Sequence, residues 1–403
     1  MQTLVGIALA VAAGPVLAGW AYLAFLSLAA LRYSRPVADP PADAPSLVVL
    51  IPAHNEASAV GECVRSLVAQ RYPAERRRIV VIADNCTDST QAEAVAAGAE
   101  VMVRHDDVLR GKGRALRWAM DGLIREAAPA DAFVIVDADS IAEPDLLEGL
   151  ARALRAGHQV AQADYTVLEE PDATSGDRLR ALAILVFNRT RNMGRATLGL
   201  PAALLGNGMM LSRSLVDVRP WTAYSPAEDL EFGVETRLAG VRPVFVPAGV
   251  RGPMPIGYSA GAVQRERWEG GRWYVLRRLG PELLTRLLRH PDASLLDAFL
   301  DLAVPPIAVM AMVTGAGLVI AAAAVMAVGL SPVEVLPWAT AAALAVVHVS
   351  VGLRAAGAPP GSIAALRSVP GFVWWKLRVY ARLLFRGFDP NRWQRSLRKG
   401  ESA

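Results

Sequence analysis

Two carboxylates separated by one residue follow a strongly apolar segment of the chain. Asp137-Ala138-Asp139 closes the run 133–136, which reads Phe-Val-Ile-Val. Because strand side chains alternate between faces, both Asp residues are predicted to point the same way at a strand's carboxyl end, where open α/β sheets bind ligands. Their oxygens suit Mg2+ or Mn2+, which bridges carboxylates to substrate phosphates. The pair predicts a metal site for a nucleoside diphosphate, although an isolated Asp-x-Asp is more often a solvated turn.

The loop after the first predicted strand exposes polar groups in a similar way. It contains Pro52, Asn55 and Glu56. Backbone groups there are expected to contact a base and ribose, and Glu56 can accept a hydrogen bond from a sugar hydroxyl. The alternative is that Asn55 only caps the next helix, because Asx residues are favoured at that position. The loop by itself does not decide between the two.

A third polar segment and, apart from it, a basic residue lie beside predicted helices. Asp84 follows the second predicted strand, where its carboxylate can accept from a uracil N–H, and Asp88 in the same loop is expected to have a mixed or structural role. Lys112 precedes the third predicted helix, so it can hold phosphate together with the helix amino terminus. The segment 110–113 lacks P-loop spacing, which argues against an ATPase.

An acidic pair, Glu228 and Asp229, lies just before the predicted helical stretch 231–239. Adjacent acids at a helix start are often only favoured by the helix dipole. Transfer of a sugar to an acceptor hydroxyl, however, needs a carboxylate that takes the hydroxyl proton as the new bond forms. We predict that Asp229 is this base and that Glu228 contributes to substrate binding.

A fifth segment combines an amide, a guanidinium and an indole. At helical spacing Gln264, Arg267 and Trp268 share one face. Arg267 suits a diphosphate, and a pyranose ring can stack on Trp268. The alternative is a helix beside the membrane whose Trp268 and Trp273 only anchor at lipid headgroups.

Alternating strand and helix patterns from residue 46 onward predict an α/β domain with an open, doubly wound, mainly parallel sheet. The predicted strands are 47–51, 79–82, 101–103, 133–136, 159–168 and 244–246, and the predicted helices are 57–69, 89–97, 113–127 and 176–195. Nucleotide binding is expected in the first half of this sheet.

Three uncharged segments are long enough to cross a bilayer, namely 4–31, 302–330 and 335–353. Arginines flank them at positions 32, 35, 286, 289, 354 and 367, so the positive-inside rule places residues 46–290 in the cytoplasm. The chain is therefore expected in a bacterial-type inner (plasma) membrane. The predicted regions are a first span with its flank (1–35), a Pro-rich linker (36–45), the α/β domain (46–290), two spans (291–366) and a basic segment (367–403).

The carboxyl-terminal basic segment accounts for much of the formal net charge of +4. In the predicted helix 371–386, helical spacing separates an apolar face from a basic face, which is typical of a helix in the plane of the membrane interface. The apolar face consists of Val373, Trp374, Leu377, Tyr380 and Leu384, and the basic face of Arg378, Arg382 and Arg386. Membrane lipid is the expected partner, and nucleic acid is not.

The five polar segments, in this order and spacing across 46–279, resemble glycosyltransferase family 2, and the flanking spans resemble its membrane-embedded polysaccharide synthases. The resemblance implies a GT-A fold and inverting transfer from a UDP-sugar. It implies that Asp84 contacts uracil, that Asp137 and Asp139 bind the nucleotide and its metal, and that Asp229 is the base. Gln264, Arg267 and Trp268 match the Gln-x-x-Arg-Trp signature that places diphosphate and acceptor sugar, and Gly206 and Asn207 lie where the family has a small-residue acceptor loop.

The sequence does not determine the product or the acceptor. The expected function is β-linked addition to a growing polysaccharide or a lipid-linked glycan for exopolysaccharide or cell-envelope synthesis. The alternatives are transfer to a polyprenyl phosphate, single addition to a lipid acceptor, and a membrane scaffold without activity. Only two predicted spans follow the α/β domain, so a partner chain or an oligomer is expected to complete any export channel.

Overall fold

The computed structural model describes residues 2–35, 43–127, 129–168, 173–254, 258–359 and 361–386. The chain divides into two compact units. The helical unit consists of Met1–Ser34, Thr174–Gly199 and Leu296–Phe385, and the sheet unit consists of Arg35–Ala173, Leu200–Leu295 and Arg386–Ala403. The predicted linker falls largely on residues 36–42, which lie outside the described residues.

The sheet unit is built on one mixed sheet. Its strands are β1 Leu47–Ala53, β2 Arg77–Asp84, β3 Glu100–Arg104, β4 Ala132–Ile135, β5 Ile141–Ala142, β6 Val160–Val167, β7 Met209–Ser212 and β8 Val244–Gly252. Their order is β3-β2-β1-β4-β7-β6-β8-β5. The first four are mutually parallel, and β7 runs antiparallel to both β4 and β6. The predicted α/β fold is confirmed, although the short strands β5 and β7 were not predicted.

The helices, in chain order, are α1 Gln2–Ala30, α2 Val60–Val68, α3 Thr90–Ala96, α4 Lys112–Arg125, α5 Leu146–Arg155, α6 Ser175–Leu185, α7 Arg191–Thr197, α8 Arg213–Val218, α9 Glu228–Leu238, α10 Tyr258–Arg289, α11 Ala293–Ala303, α12 Ile307–Val328, α13 Leu336–Ala355, α14 Ser362–Ala365 and α15 Val369–Arg386. A π-helical turn, Val186–Thr190, joins α6 to α7.

The central strands are apolar on both faces because helices cover the sheet on both sides. In β1, Val49 and Ile51 belong to one buried cluster, which includes Leu67 of α2. Val48 and Leu50 belong to the other, which includes Leu116 of α4. Period-two alternation thus sends successive residues into different cores. A continuous apolar run is the expected pattern for such a buried parallel strand.

Three helices of the helical unit are long and apolar enough to cross a membrane: Gln2–Ala30, Ile307–Val328 and the segment Pro332–Ala355. This agrees with the three predicted spans. The second begins five residues later than predicted, because Pro305 and Pro306 separate α11 from α12. A proline lacks the backbone N–H and disfavours helix in the preceding residue, so the break falls there.

A buried charge cluster lies inside the helical unit; we call it the paired cluster, and it consists of Tyr22, Arg191, Arg195, Asp297 and Asp301. Arg195 Nε lies 2.9 Å from Asp297 Oδ2, and Arg195 Nη2 lies 2.8 Å from Asp301 Oδ1. Arg191 pairs with Asp301, and Tyr22 donates to Asp297 Oδ1 at 2.8 Å. All five side chains are partnered within the cluster.

The predicted interfacial helix forms as α15, but its faces differ from the prediction. Trp375 and Val379 are buried, with Lys376 between them, whereas Trp374 and Leu377 are exposed. The Arg378 guanidinium lies 5.3 Å from the Trp374 ring centroid, so this basic residue covers the exposed aromatic ring. The exposed face therefore combines apolar and basic groups. Side chains from residue 381 onward lie outside the described part.

Candidate active site

Asp137 and Asp139 lie in a turn after β4, which ends at Ile135. The backbone N–H of Ser140 donates to the Asp137 carbonyl at 3.0 Å and closes this turn. The argument from strand alternation was therefore wrong, because the strand stops before the pair. The carboxylates nevertheless act on the same neighbours, since both raise the pKa of the buried Cys63 thiol after the larger effect of burial.

Lys112 lies among these carboxylates at the first turn of α4. Its Nζ donates to Asp137 Oδ1 at 2.5 Å and to the Gly206 carbonyl at 2.6 Å, and lies 3.7 Å from Glu228 Oε1. Burial lowers the pKa of Lys112, but the surrounding carboxylates more than offset this, so its pKa is raised. We name the group of Lys112, Asp137, Asp139, Glu228 and Asp229 the carboxylate cluster.

The start of α4 depends on a close approach of two backbones. A side chain on Gly113 would collide with the carbonyl of Ala223, and its Cβ would lie 2.9 Å from Trp221 Nε1. Trp221 is itself buried, and its Nε1 donates to that same carbonyl at 2.7 Å. The glycine after Lys112 thus lets α4 pack against the loop that precedes α9, which brings Lys112 toward Glu228.

Glu228 and Asp229 form the first turn of α9. Gly206 has a positive φ of 77°, and a Cβ there would lie 3.0 Å from Asp229 Oδ2. The loop after residue 205 therefore passes directly beside the predicted base. Burial raises the pKa of both carboxyls, that of Glu228 to about 7, and Lys112 opposes the rise in each case. Such perturbed acids are typical of functional sites.

Helix α10 lies against the same end of α9. A Cβ on Gly271 would lie 2.7 Å from Ala227 Cβ, so the glycine permits close packing one residue before the acidic pair. The positive charge of Arg267 lowers the pKa of Glu228, which places this guanidinium within electrostatic range of the carboxylate cluster. Gln264 and Trp268 are half-buried on the same helix, and Arg265 lies 5.0 Å from the Trp268 ring centroid.

Asn207 is fully buried and organises the turn rather than facing solvent. Its Oδ1 accepts from the backbone N–H of Asp137 at 3.1 Å, and its Nδ2 donates to Ser140 Oγ at 2.8 Å. Gln162 Nε2 donates to the Asn207 carbonyl at 2.8 Å. Asn207 was predicted to bind substrate, and this geometry favours a role in positioning Asp137.

Tyr165 on β6 is a site residue that the sequence did not reveal. A hydrogen bond joins its hydroxyl to the Asn207 side chain. Burial, Asp137, Asp139 and Asp229 all raise the pKa of Tyr165, so its hydroxyl lies within range of the carboxylate cluster. The predicted strand 159–168 contained this residue, but nothing in the alternation pattern distinguishes it from an ordinary strand tyrosine.

Asp84 ends β2 and is held by Arg104, which ends β3. The two residues are register partners, and Arg104 Nη1 donates to Asp84 Oδ1 at 2.7 Å. Arg104 Nη2 also donates to the Leu109 carbonyl at 2.6 Å, so one guanidinium connects Asp84 to the loop before Lys112. Burial raises the pKa of Asp84, and Arg104 opposes the rise. An Arg at the carboxyl end of a neighbouring predicted strand was the available signal for this pair.

The loops after β1 and β2 hold each other. Asn55 adopts a positive φ of 55°, and its Oδ1 accepts from the backbone N–H of Thr87 at 2.8 Å. The alternative role of Asn55 as a helix cap is wrong, because α2 begins only at Val60. Asp88 accepts from the backbone N–H of Ala57 at 3.1 Å, which supports its structural role. Pro52 lies within β1 rather than in the loop, and the Glu56 N–H donates to Thr90 Oγ1 at 2.7 Å.

The donor set fits a hard divalent cation that is completed by its substrate. Within the described ranges, no group of three or more His, Cys, Asp or Glu side chains is placed to hold a metal ion. Asp137 and Asp139 supply oxygen ligands only, and Mg2+ typically keeps waters and phosphate oxygens beside one or two carboxylates. The residues therefore fit a cation that arrives with a diphosphate.

Comparison with known proteins identifies the class. Residues 44–271, more than half of the chain, match the family described as glycosyltransferase like family 2. The protein therefore belongs to glycosyltransferase family 2. The resemblance drawn from the five polar segments is confirmed.

Two curated relatives align over a large part of the chain. A probable glycosyltransferase of Bacillus subtilis is 26% identical over 245 residues, which are 58% of this chain and 56% of the relative. A beta-monoglucosyldiacylglycerol synthase of Synechocystis is 25% identical over 297 residues, which are 65% of this chain and 59% of the relative. The chain thus spans less than two thirds of each relative's length.

A solved structure shares the fold. A mannosyltransferase from Pyrobaculum calidifontis, solved with GDP-mannose and Mn2+, is 17% identical and superposes with a TM-score of 0.56. The alignment covers 96% of this chain and all of that one. At this level of identity the likeness concerns the fold, and it agrees with the predicted GT-A architecture.

Proposed function

We propose that the protein is a membrane-bound inverting glycosyltransferase that moves a sugar from a UDP-sugar to a hydroxyl of a growing polysaccharide or lipid-linked glycan. The observation that carries the proposal is the carboxylate cluster. Lys112 lies 2.5 Å from Asp137 and 3.7 Å from Glu228, while Gly206 brings its loop to Asp229. The proposed metal ligand Asp137, and Glu228, which precedes the proposed base, therefore both lie beside the ammonium group of Lys112.

In the proposed reaction Asp229 accepts the proton of the acceptor hydroxyl as that oxygen attacks the sugar. Asp84, fixed by Arg104, accepts from the uracil N–H. Lys112 and Arg267 offset negative charge on the departing UDP. A divalent cation, when bound by Asp137 and Asp139, neutralises part of the diphosphate charge. A single displacement from an α-linked donor gives a β-linked product.

The first experiment determines the donor and the product. Purified protein in lipid vesicles would be incubated with Mg2+ or Mn2+ and with a panel of UDP-sugars, and GDP-mannose would test the other nucleotide. We expect UDP release from one UDP-sugar together with a new carbohydrate product, whose size separates polymer from single addition. UDP release from no member of the panel would contradict the proposal.

The second experiment identifies the acceptor chemistry through Asp229→Asn. A hydroxyl acceptor needs the base, so kcat should fall about a thousandfold. A polyprenyl phosphate acceptor is already ionised, so the kcat of the same variant should fall only slightly. Glu235→Gln is a matched control, because Glu235 lies on α9 but contacts Thr222 and Arg278 rather than the carboxylate cluster.

A lipid acceptor is the second candidate for a specific reason. The beta-monoglucosyldiacylglycerol synthase aligns over 65% of this chain, beyond the length of the family match. Diacylglycerol presents a hydroxyl at the membrane surface, which suits an enzyme with three candidate spans. If vesicles with diacylglycerol yield a monoglycosylated lipid and no polymer, this candidate replaces polysaccharide synthesis. We further propose that the sheet unit faces the cytoplasm of an inner membrane, and that a partner chain or oligomer completes any export path.

A further inference from the structure

Tyr165 lies near both the proposed metal ligands and the proposed base. The hydroxyl is within electrostatic range of Asp137 and Asp139, which are assigned to the metal and diphosphate, and of Asp229, which is assigned as base. In an in-line displacement the transferred sugar lies between leaving group and attacking oxygen. The Tyr165 hydroxyl, beside Ser140 in the Asp137 turn and within electrostatic range of Asp229, is therefore placed to reach the sugar ring.

A strand irregularity and a glycine on the neighbouring strand surround Tyr165. Strands β6 and β8 pair in parallel, and their register shifts between Ala163 and Asp164, which indicates a bulge. Bulges commonly re-aim side chains beside active sites. On β8, a Cβ at Gly252 would lie 2.9 Å from the Tyr165 hydroxyl and 3.2 Å from Ser140 Oγ. The absence of a side chain at Gly252 leaves room for the hydroxyl beside the Asp137 turn.

The hydroxyl is also oriented by its neighbours. A hydrogen bond joins it to the Asn207 side chain, which in turn accepts from the backbone N–H of Asp137 and donates to Ser140. An ordinary phenol is protonated at neutral pH, so the Tyr165 O–H is available as a donor.

We propose that the Tyr165 hydroxyl donates a hydrogen bond to one ring hydroxyl of the sugar being transferred and so helps to select the donor sugar. The proposal rests on the proposed function, because it takes Asp137 and Asp229 as the two ends of the reaction. Tyr165 recognises the sugar and neither accepts the acceptor proton nor binds the nucleotide.

The test combines Tyr165→Phe with deoxy donors. The wild type is first assayed for UDP release to identify its best UDP-sugar; no release at all would overturn the proposed function itself. With that donor, Tyr165→Phe should lower kcat/KM about tenfold. With donors that lack one ring hydroxyl each, one analogue should be used equally by variant and wild type, because the contact is absent from both.

Two further measurements separate recognition from structure. The inhibition constant of UDP should be unchanged in Tyr165→Phe, since the nucleotide does not contact the phenol; a rise would indicate a disturbed Asp137 turn and overturn the proposal. Tyr72→Phe removes another part-buried tyrosine hydroxyl, which donates to the Pro45 carbonyl at 2.5 Å, and should leave donor preference unchanged. An equal loss in Tyr165→Phe with every deoxy donor, or no loss with any donor, would overturn the proposal.

Discussion

The paired cluster and the carboxylate cluster both bury acids, but they balance charge differently. In the paired cluster, Arg191 and Arg195 face Asp297 and Asp301, so two guanidiniums meet two carboxylates. In the carboxylate cluster, Lys112 contacts Asp137 and Glu228, and the charge of Asp229 acts on it as well. Asp139 adds a fourth carboxylate, and Arg267 acts on Glu228 from α10.

This difference separates stability from function. A balanced, hydrogen-bonded cluster is destabilised when one member is removed, because the remaining charge is buried without a partner. In a cluster with excess carboxylates, repulsion between the negative charges destabilises the protein. Binding of a further cation is therefore expected to stabilise such a cluster more than a balanced one. The carboxylate cluster is therefore expected to respond to metal and donor, and the paired cluster to respond to neither.

The largest expected effect is the loss of activity on metal removal. A chelator should lower UDP release at least about a thousandfold, because the cation supplies several kcal/mol of charge stabilisation. Added Mg2+ or Mn2+ should restore the rate. Asp139→Asn should require more metal for half-maximal rate, whereas the exposed Asp145→Asn should behave as wild type. Full activity in excess chelator would contradict the expectation that the carboxylate cluster depends on a metal ion and the paired cluster does not.

The next effect concerns the paired cluster. Arg195→Leu should lower the free energy of unfolding by about 3–5 kcal/mol, since Asp297 would lose its main partner. The double variant Arg195→Leu, Asp297→Leu should recover much of this loss. Thermal unfolding in detergent would measure both, with the exposed Arg178→Leu as control within about 0.5 kcal/mol of wild type. Additive losses in the double variant would show that the pair is not coupled.

A smaller effect is expected at the donor loop. Arg104→Met removes the guanidinium that holds Asp84, and UDP affinity should fall about tenfold. Calorimetric titration of UDP in the presence of Mg2+ would measure this. Arg78→Met is a matched control, because Arg78 forms an exposed pair with Glu100 on the same two strands. Equal UDP affinity in Arg104→Met and wild type would show that Arg104 does not contribute to the donor site.

The smallest effect is a shift in pH dependence. Asp229 must be ionised to act as base, so kcat/KM should fall as pH falls through its raised pKa, and Glu228, with a pKa of about 7, should contribute to the same acid limb. Lys112 lowers both values, so Lys112→Met should move the acid limb to higher pH. Arg125→Met, at the exposed end of α4, should not move it. A shift to lower pH would contradict this assignment of charges.

The strands were predictable because their cause is local. Apolar runs such as 47–51 and 79–82 mark strands that are buried on both faces, and the polar residues after them mark loops at one edge of the sheet. Asp84 and Asp137 were singled out in this way, whereas Asp229 was selected as an acid at a helix start. Strand β7 was missed because its identity depends on pairing with β4 and β6, which are distant in sequence.

Partner choice could not be predicted from the same patterns. Lys112 was expected to hold phosphate, but its Nζ contacts Asp137, the Gly206 carbonyl and Glu228. Asn55 was weighed as a helix cap, yet it binds the loop at Thr87. Each outcome depends on loops that meet only when the sheet is assembled.

The sequence alone determined the class of chemistry, the strands and helices that carry it, and three segments apolar enough for a membrane. Composition and periodicity are properties of a few neighbouring residues, so they can be read from the sequence without knowledge of the fold. Only the tertiary structure placed Lys112 among Asp137, Glu228 and Asp229, with Tyr165 nearby. Burial and the distances between charges arise from chain segments that are far apart in sequence, and these set the charge balance and the pKa values of the site.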